Sequence, residues 1–428
     1  MTEQEIAGMT PAFASYLGRF RDCFLQKRTI AHFDSYCRGL LSDLPRKSVE
    51  PIALASGTAV RTLQEFLVTT RWDQERARDR LEQDLATTAS ALPADALGTI
   101  GVIDETSCQK WGDQTPGVQR QYLGCVGKVD NGIVTVHVGL AKGRFQALLD
   151  ADLYLPESWD QDRQRCRDAG IPDEVRYRPK WRIALDQLVR LSSNGVHFDW
   201  LVFDEGYGGA VPFLNLLNLV KQRFVAEVPV NFMVRNTTRG VARRADERLS
   251  AAKAKAGRRY RLRHQTVKDS VWRAVEALVW VEGHSQRLIA AINEATAEVK
   301  YFLTNATTAP LSRVLAVAFR RWTVEHSFRL AKQEAGLMHY EGRDYLGLIR
   351  HLTMVLVVLG FVATHTERLR GEKPARDRRT GMSGSQPTLR GDLSTPSRLI
   401  RNQAYQRSHS IPPATKPASD KISQETAP

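Results

Sequence analysis

Length, composition and charge limit the class of protein. The chain of 428 residues is longer than one ordinary domain, and a hydrophobic fraction of 42% is enough for packed cores. The net charge of +14 favours a polyanionic partner, of which nucleic acid is the commonest, although scattered surface charge would give the same total. Five unevenly spaced cysteines without a C-x-x-C pair argue against structural zinc and a disulfide framework, and favour the cytoplasm.

Residues 1–95 predict a helical N-terminal domain. A helix start at 47–51 is followed by the turn Ser56-Gly57-Thr58, after which a second helical pattern runs over 59–67 and exposes Arg61. Helix, glycine turn and helix are typical of a helix-turn-helix reader of DNA, and equally of a plain helical bundle. The sequence leaves these two alternatives open.

Residues 96–234 predict the first part of a mixed α/β core. One strand pattern ends at Asp104, and two more, 122–129 and 133–140, flank the hairpin signal Asp130-Asn131-Gly132. Helix and strand patterns then alternate, with a helix at 180–191, a strand ending at Asp204, a helix at 212–221 and a strand at 224–228. This is the element order of an RNase H-like fold, in which the first and fourth strands are neighbours and would bring Asp104 and Asp204 together.

The two strands that end in acids allow two interpretations. Asp104 and Asp204 each follow an apolar run and are each followed by Glu. A strand that ends in Asp is often an Asx turn or the N-cap of the next element. A carboxylate at the rim of a core is also costly to leave unpaired, which favours an ion pair or a bound divalent cation.

Residues 235–308 predict a basic, β-rich insertion. Twelve Lys or Arg and two acids occupy 235–268, a net charge of +10, so most of the excess charge of the chain is clustered here. Strand-like runs follow at 274–281, 287–292 and 299–304. The arginines are expected to follow a DNA backbone, with a merely solvated basic loop as the alternative.

Residues 309–366 predict helices that complete the core. Arg321, Glu325, Arg329 and Lys332 form one stripe of a helix, and an apolar stripe of Val324, Phe328, Ala331 and Ala335 lies beside it. One acid among three bases is the pattern of a metal ligand beside a phosphate track. The apolar run 352–362 is about half the length that spans a bilayer, so a buried helix is predicted. Residues 367–428 predict a disordered basic tail.

These motifs together resemble the DDE transposases of bacterial insertion sequences over roughly residues 95 to 365. The Arg-x3-Glu-x6-Lys signature of that family maps onto Arg321, Glu325 and Lys332. The tyrosine that the family has three residues before the arginine is Ala318 here, and Trp322 or Tyr340 could replace it. The resemblance implies that Asp104, Asp204 and Glu325 form the catalytic, metal-binding triad.

The resemblance also implies cofactors and partners. Two Mg²⁺ ions, with Mn²⁺ as a substitute, would be held by the three acids and serve cleavage and strand transfer of double-stranded DNA at transposon ends and target. The N-terminal domain would bind the element ends. A homodimer is expected in the synaptic complex, with no membrane and a bacterial cytoplasmic, nucleoid-associated location. The expected DNA contacts are Arg321, Trp322, Arg329, Lys332, Lys128, Arg243, Arg244, Arg258, Arg259, Arg261 and Arg263.

Several nearby residues have other expected roles, and two other functions are alternatives. Glu105 and Glu205 are expected to point to the face opposite the neighbouring aspartates, and Glu334 lies on the far face of the helix from Glu325. His326 is expected to have a structural or DNA-contact role. Cys108 has no evident partner that could act as a general base, so it is expected to be inert. The competing functions are a transposase-derived repressor without catalysis and an RNase H-fold nuclease that cuts without joining.

Overall fold

The computed structural model describes residues 9–262 and 269–371, so Arg263 and nearly all of the predicted tail lie outside the described residues. The helices, with a 3₁₀ turn at Arg21–Cys23 and another at Phe319–Arg321, follow in chain order. They are α1 Met9–Gly18, α2 Lys27–Leu41, α3 Val49–Ala55, α4 Val60–Val68, α5 Gln74–Ala91, α6 Glu157–Asp160, α7 Arg163–Asp168, α8 Lys180–Ser193, α9 Glu205–Gly208, α10 Val211–Leu219, α11 Ala245–Arg248, α12 Ala251–Lys255, α13 Leu311–Ala318, α14 Trp322–Glu334 and α15 Tyr345–Gly371.

The strands join into one sheet. They are β1 Ile100–Gln109, β2 Gln119–Leu123, β3 Lys128–Lys142, β4 Phe145–Leu153, β5 Trp200–Phe203, β6 Phe224–Val228, β7 Met233–Arg235, β8 Ala242–Arg244, β9 Arg258–Leu262, β10 Ser270–Val281, β11 His284–Asn293 and β12 Val299–Thr304. Their order is β2-β3-β1-β5-β6-β12-β11-β10-β7-β8, with β4 paired to β3 and β9 to β10.

The central strands have the predicted RNase H-like order. β1 pairs antiparallel with β3 and parallel with β5, and β5 pairs parallel with β6. The first and fourth strands of the core motif are therefore neighbours, which confirms the predicted fold class. β12, the last strand of the predicted insertion, pairs antiparallel with β6 and so continues the same sheet.

The predicted hairpin at Asp130–Gly132 is wrong. β3 is continuous through these residues, and the turn lies at 124–127, where Gly127 has a φ of 68°. Gly132 serves a different purpose, because a Cβ atom there would lie 2.4 Å from the carbonyl oxygen of Cys108 on β1. The glycine permits close approach of two strands, and the turn chemistry is supplied a few residues earlier. The sequence reading also missed β4, which completes the three antiparallel core strands.

The N-terminal helices share a core with the long helix α15. The most apolar window of α15 has a hydropathy of 2.1, enough to cross a bilayer by length and composition, but 83% of that window is buried inside the protein. This confirms the predicted buried helix. The phenol of Tyr36 on α2 bonds Nδ1 of His351 at 2.9 Å. Arg350 donates to the carbonyl oxygens of Leu67 and Thr70 at 3.0 and 2.9 Å, which satisfies the C-terminal end of α4.

Candidate active site

Three acidic residues stand in one row across the parallel strands. In the last paired row, Phe203 of β5 lies between Ile103 of β1 and Ala226 of β6. In each of the three strands, the residue that follows this row in the chain is acidic. These residues are Asp104, Asp204 and Glu227. Because aligned positions of neighbouring strands share a face, the sheet presents three carboxylates side by side.

Arg321 connects this row to the helix α14 that follows it. Its Nη1 lies 3.2 Å from Oδ2 of Asp104 and 3.7 Å from Oε1 of Glu325. Its Nη2 lies 3.6 Å from Oε2 of Glu227. Burial opposes the charge of Arg321, but the surrounding carboxylates prevail and raise its pKa above the usual range. One guanidinium is thus shared among three acids from three separate parts of the chain.

Asp104 is the most buried acid of the site. Burial raises the pKa of Asp104 to about 7; Arg321 lowers it, and the charges of Asp204 and Glu325 raise it further. Its Oδ1 accepts from the backbone N–H of Glu105 at 2.8 Å, and Oδ2 faces Arg321. A carboxyl group whose charge is this costly is well placed to exchange its proton for a cation.

Asp204 matches the first interpretation of a strand that ends in an acid, the N-cap. It is the N-cap of α9, and its Oδ1 accepts from the backbone N–H of Gly206 at 3.0 Å. Its charge also acts on Asp104 and Arg321. The cap holds one carboxylate oxygen of Asp204, and the group lies close enough to Asp104 and Arg321 for their charges to interact.

Helix α14 brings Glu325 and Lys332 to the sheet through its apolar face. Phe328 is buried, and its ring lies 5.0 Å, edge on, from the ring of His137, the β3 residue paired with Asp104. Lys332 is half-buried near Asp104, and burial lowers the pKa of its ammonium. Within the described part of the chain, Lys332 forms no ion pair. The side chain of Glu325 is 58% exposed and lies at the solvent side of the site.

The residues set aside by sequence reasoning have other contacts. Glu105 faces α8 and lies 2.7 Å from Nζ of Lys180, as the alternation of strand residues predicts. The suggestion that Tyr340 replaces the missing tyrosine is wrong, because Tyr340 is buried and its hydroxyl donates to the carbonyl oxygen of Asp344. Nδ1 of His326 accepts from the guanidinium of Arg329 at 3.0 Å, and burial lowers the pKa of His326 to about 4.

The expected DNA contacts fall into two groups. Arg321 and Lys332 lie at the acids, Arg329 is exposed on the same helix, and the side chain of Trp322 lies outside the description. Lys128 is the first residue after the turn at 124–127. Cys125 in this turn lies near Lys332, so Lys128 belongs with the group at the acids. The remaining contacts are exposed on β8 and β9, away from the row of acids. They are Arg243, Arg244, Arg258, Arg259 and Arg261.

The donor chemistry fits an oxygen-preferring divalent cation. Within residues 9–262 and 269–371, no three His, Cys, Asp or Glu side chains converge closely enough to hold an ion as they stand. The site nevertheless gathers carboxylates. Burial raises the pKa of Asp104, and the charges of Asp204 and Glu325 raise it further. The positive charges near these acids are Arg321, Lys300 and Lys332. Carboxylates whose charge is this costly are a suitable ligand set for an oxygen-preferring divalent cation.

Sequence reasoning missed Glu227 and Lys300. Glu227 lies 2.5 Å, through Oε1, from Nζ of Lys300 on β12, and both side chains are mostly buried. The available signal was one acid inside the apolar strand Phe224–Val228, the same feature that marked Asp104 and Asp204. Lys300 had no local signal, since its role depends on the pairing of β12 with β6.

Comparisons with known proteins agree with this geometry. A family model described as DDE superfamily endonuclease matches residues 19–288, well over half of the chain; the match includes the row of acids and ends before Glu325. A probable transposase for insertion sequence element IS701, from Microchaete diplosiphon, is 30% identical to the chain over 238 residues. The matched part is 55% of this chain and 58% of that relative, so the chain spans little more than half of the relative's length.

Proposed function

Because the chain belongs to the DDE superfamily of endonucleases, a family in which divalent metal dependence is general, we propose that it is the transposase of an insertion sequence. It binds the element ends and catalyses DNA cleavage and strand transfer at one site. The observation that carries the proposal is that Asp104 and Glu325 both face the guanidinium of Arg321, at 3.2 and 3.7 Å, while Asp204 follows the strand row next to Asp104. The similarity to a probable insertion-sequence transposase supports it.

Asp104, Asp204 and Glu325 would hold the divalent ions, two Mg²⁺ with Mn²⁺ as a substitute. When bound, such ions make a water or a 3′-hydroxyl a stronger nucleophile and stabilise the leaving oxygen of the phosphodiester. Asp104 supplies a rigid ligand because it is paired with His137 of β3 and its Oδ1 accepts from the backbone N–H of Glu105. Glu325 supplies a mobile one, since its side chain is 58% exposed and can turn from Arg321 to an ion.

The bases of the site orient the DNA. Lys332 is half-buried beside Asp104 and holds a nonbridging phosphate oxygen next to the acids. Arg321 offers a planar guanidinium that can bind a phosphate in two places. Arg329 and Trp322 extend the contact along α14, and Lys128 approaches from the 124–127 turn.

The insertion and the N-terminal helices bind DNA away from the chemistry. The exposed arginines of β8 and β9 follow the phosphate backbone, and α3 and α4 read the element ends. The active assembly is a homodimer that brings two ends together. It acts in the bacterial cytoplasm on nucleoid DNA, without a membrane.

A strand-transfer assay tests the proposal. The purified protein is incubated with Mg²⁺, a linear DNA that carries the terminal repeats and a supercoiled target plasmid. Joined products are expected. Cleavage without joining would instead show a nuclease, and a gel shift with neither product would show a repressor.

Substitution of the acids tests the assignment. Asp104→Ala, Asp204→Ala and Glu325→Ala should each lower cleavage by roughly 10³-fold or more, since each removes an ion ligand, and should leave DNA affinity nearly unchanged. Glu205→Ala, one residue beyond Asp204 and exposed, is the matched control and should cut at the wild-type rate. A triad variant that retains wild-type cleavage would remove that residue from the site.

A further inference from the structure

Glu227 is a fourth acid at the site, and the triad leaves it without a role. It stands in the same row as Asp104 and Asp204, on the far side of β5 from Asp104. Its Oε2 lies 3.6 Å from Nη2 of Arg321, and its Oε1 lies 2.5 Å from Nζ of Lys300. Glu227 thus lies between Arg321 of the active site and Lys300, which belongs to the last strand of the insertion.

The three side chains form a chain of alternating charges that solvent screens poorly. The exposed fractions are 16% for Arg321, 16% for Glu227 and 13% for Lys300. In such surroundings a unit charge several ångströms away alters the affinity for a divalent ion substantially. Arg321 has two ways to satisfy its charge, namely Asp104 with Glu325 on one side and Glu227 on the other.

We propose that Glu227, itself restrained by Lys300, is a positioning residue that holds Arg321 at the edge of the site and so keeps Asp104 and Glu325 available to divalent ions. This inference rests on the proposed function. Arg321 and an ion compete for the same carboxylates, because both neutralise Asp104 and Glu325. Glu227 shifts that competition toward the ion by giving the guanidinium another partner. Lys300 limits the shift by neutralising part of the charge of Glu227.

The arrangement predicts effects of opposite sign for two substitutions at one salt bridge. Glu227→Gln keeps the shape but removes the alternative partner of Arg321, so the guanidinium remains on Asp104 and Glu325 and ion affinity falls. Lys300→Gln leaves Glu227 with its full charge for Arg321, so ion affinity rises. A bridge that only stabilises the β6–β12 pair would give changes of the same sign, or none, in both variants.

The measurement is Mn²⁺ binding to the full chain without DNA, followed by the electron paramagnetic resonance signal of free Mn²⁺. Glu227→Gln is expected to weaken binding roughly tenfold and Lys300→Gln to strengthen it by a similar factor. Glu298→Gln is the matched control, because Glu298 lies 3.4 Å from the same lysine but has no contact with Arg321. It should bind Mn²⁺ within about twofold of wild type.

A double-mutant cycle tests whether Glu227 acts through Arg321. In the background of Arg321→Gln, the effect of Glu227→Gln should shrink from about tenfold to about threefold or less. An undiminished effect would overturn the positioning role.

The outcomes separate the inference from the proposed function. If wild type binds Mn²⁺ and Asp104→Ala does not, the metal site stands. Equal weakening, or no change, in Glu227→Gln and Lys300→Gln then overturns the inference alone. If wild type binds no more Mn²⁺ than Asp104→Ala, the proposed function fails first. Should Glu227→Gln fail to fold, tighter binding by Lys300→Gln supports the inference and unchanged or weaker binding overturns it.

Discussion

Two clusters in which one arginine meets several carboxylates differ in how completely the charges are paired. At the active site Arg321 lies 3.2 to 3.7 Å from its acids. In the second cluster, between β4 and α8, Nη2 of Arg190 lies 2.5 Å from an oxygen of Asp150 and 2.5 Å from one of Asp152. Its Nε adds a third bond to Asp150 at 3.0 Å.

The difference in pairing separates a structural cluster from a candidate functional one. Asp150 is fully buried and its charge is met by short, directed bonds, so Arg190 holds β4 to α8. Glu82 on α5 joins the same cluster, and burial together with the charge of Asp150 raises its pKa. Arg321 is instead divided among three acids at longer distances, one of them exposed. This longer and divided pairing is what makes the cluster around Arg321 the candidate site for a divalent cation.

Removal of the two arginines should give the largest contrast in stability. Arg190→Met leaves Asp150 buried without its partner, so the free energy of unfolding should fall by about 3 to 5 kcal/mol. Arg321→Met should cost less, about 2 kcal/mol, because its contacts are longer and Asp104, whose pKa burial already raises to about 7, can take up a proton once the arginine is gone. Urea denaturation measures both values. Arg182→Met, whose side chain is 51% exposed, is the control for Arg190, and equal losses for Arg190 and Arg321 would break the comparison.

Arg350 extends the comparison to an arginine whose partners are neutral. It is buried, lies over the ring of Trp72 and donates to carbonyl oxygens at the end of α4. Arg350→Met should lower the free energy of unfolding by about 2 to 3 kcal/mol, since several buried carbonyl groups lose their donor. Arg343→Met, at an exposed position, should change it by less than about 0.5 kcal/mol. A loss as small as that of the control would show that water replaces the guanidinium.

His351 tests how a buried neutral group affects stability with pH. Burial lowers the pKa of His351 to about 4, so the unfolded chain binds this proton between the ordinary histidine pKa and about 4 while the folded protein does not. The stabilising contribution is therefore complete above about pH 6.5 and decreases as pH falls. When the pH falls from 7 to 5, the free energy of unfolding should decrease by roughly 1 to 2 kcal/mol through this residue. Urea denaturation at the two pH values measures the decrease.

The matched histidine variants separate this residue from other acid-sensitive groups. His351→Gln should reduce the difference in stability between pH 7 and pH 5, whereas His197→Gln, at an exposed position, should leave that difference as in wild type. An unchanged pH dependence in His351→Gln would assign the acid sensitivity elsewhere.

The smallest expected effects concern the exposed arginines of the insertion. Arg244 and Arg259 already pair with Asp246 and Glu294 at 2.8 and 2.9 Å, whereas Arg258 and Arg261 form no ion pair within the described ranges. Arg258→Gln with Arg261→Gln should lower the slope of log affinity against log salt by about 1 to 2. Arg244→Gln with Arg259→Gln should lower it less. Equal slopes measured by fluorescence anisotropy would show that existing ion pairs do not limit DNA contact.

Much of the fold was readable because it is encoded locally. An apolar run that ends in an acid marked the strands of Asp104 and Asp204, and a helical stripe placed Glu325 and Lys332 on one face. The strand at 224–228 was predicted with its observed bounds, and the three runs of the insertion correspond to β10, β11 and β12. Each of these signals depends on residues within about ten positions of one another.

Errors arose where a local preference met a tertiary constraint. Asp130-Asn131-Gly132 has a strong turn preference, yet these residues pair with β2 on one side, and Gly132 lies against β1 on the other. Pairing on both sides outweighs the preference of a short segment for a turn.

The sequence by itself determined that two strands deliver acids, that a late helix carries one acid among bases, and that the chain has a mixed α/β core. Only the tertiary structure decided that Glu227 joins the row, that Lys300 reaches it from the insertion, and that Arg321 stands among the acids. The reason is physical: which face of a strand or helix is buried follows from nearby residues. Which charged groups become neighbours follows from strand order and helix packing, because these contacts join positions far apart along the chain.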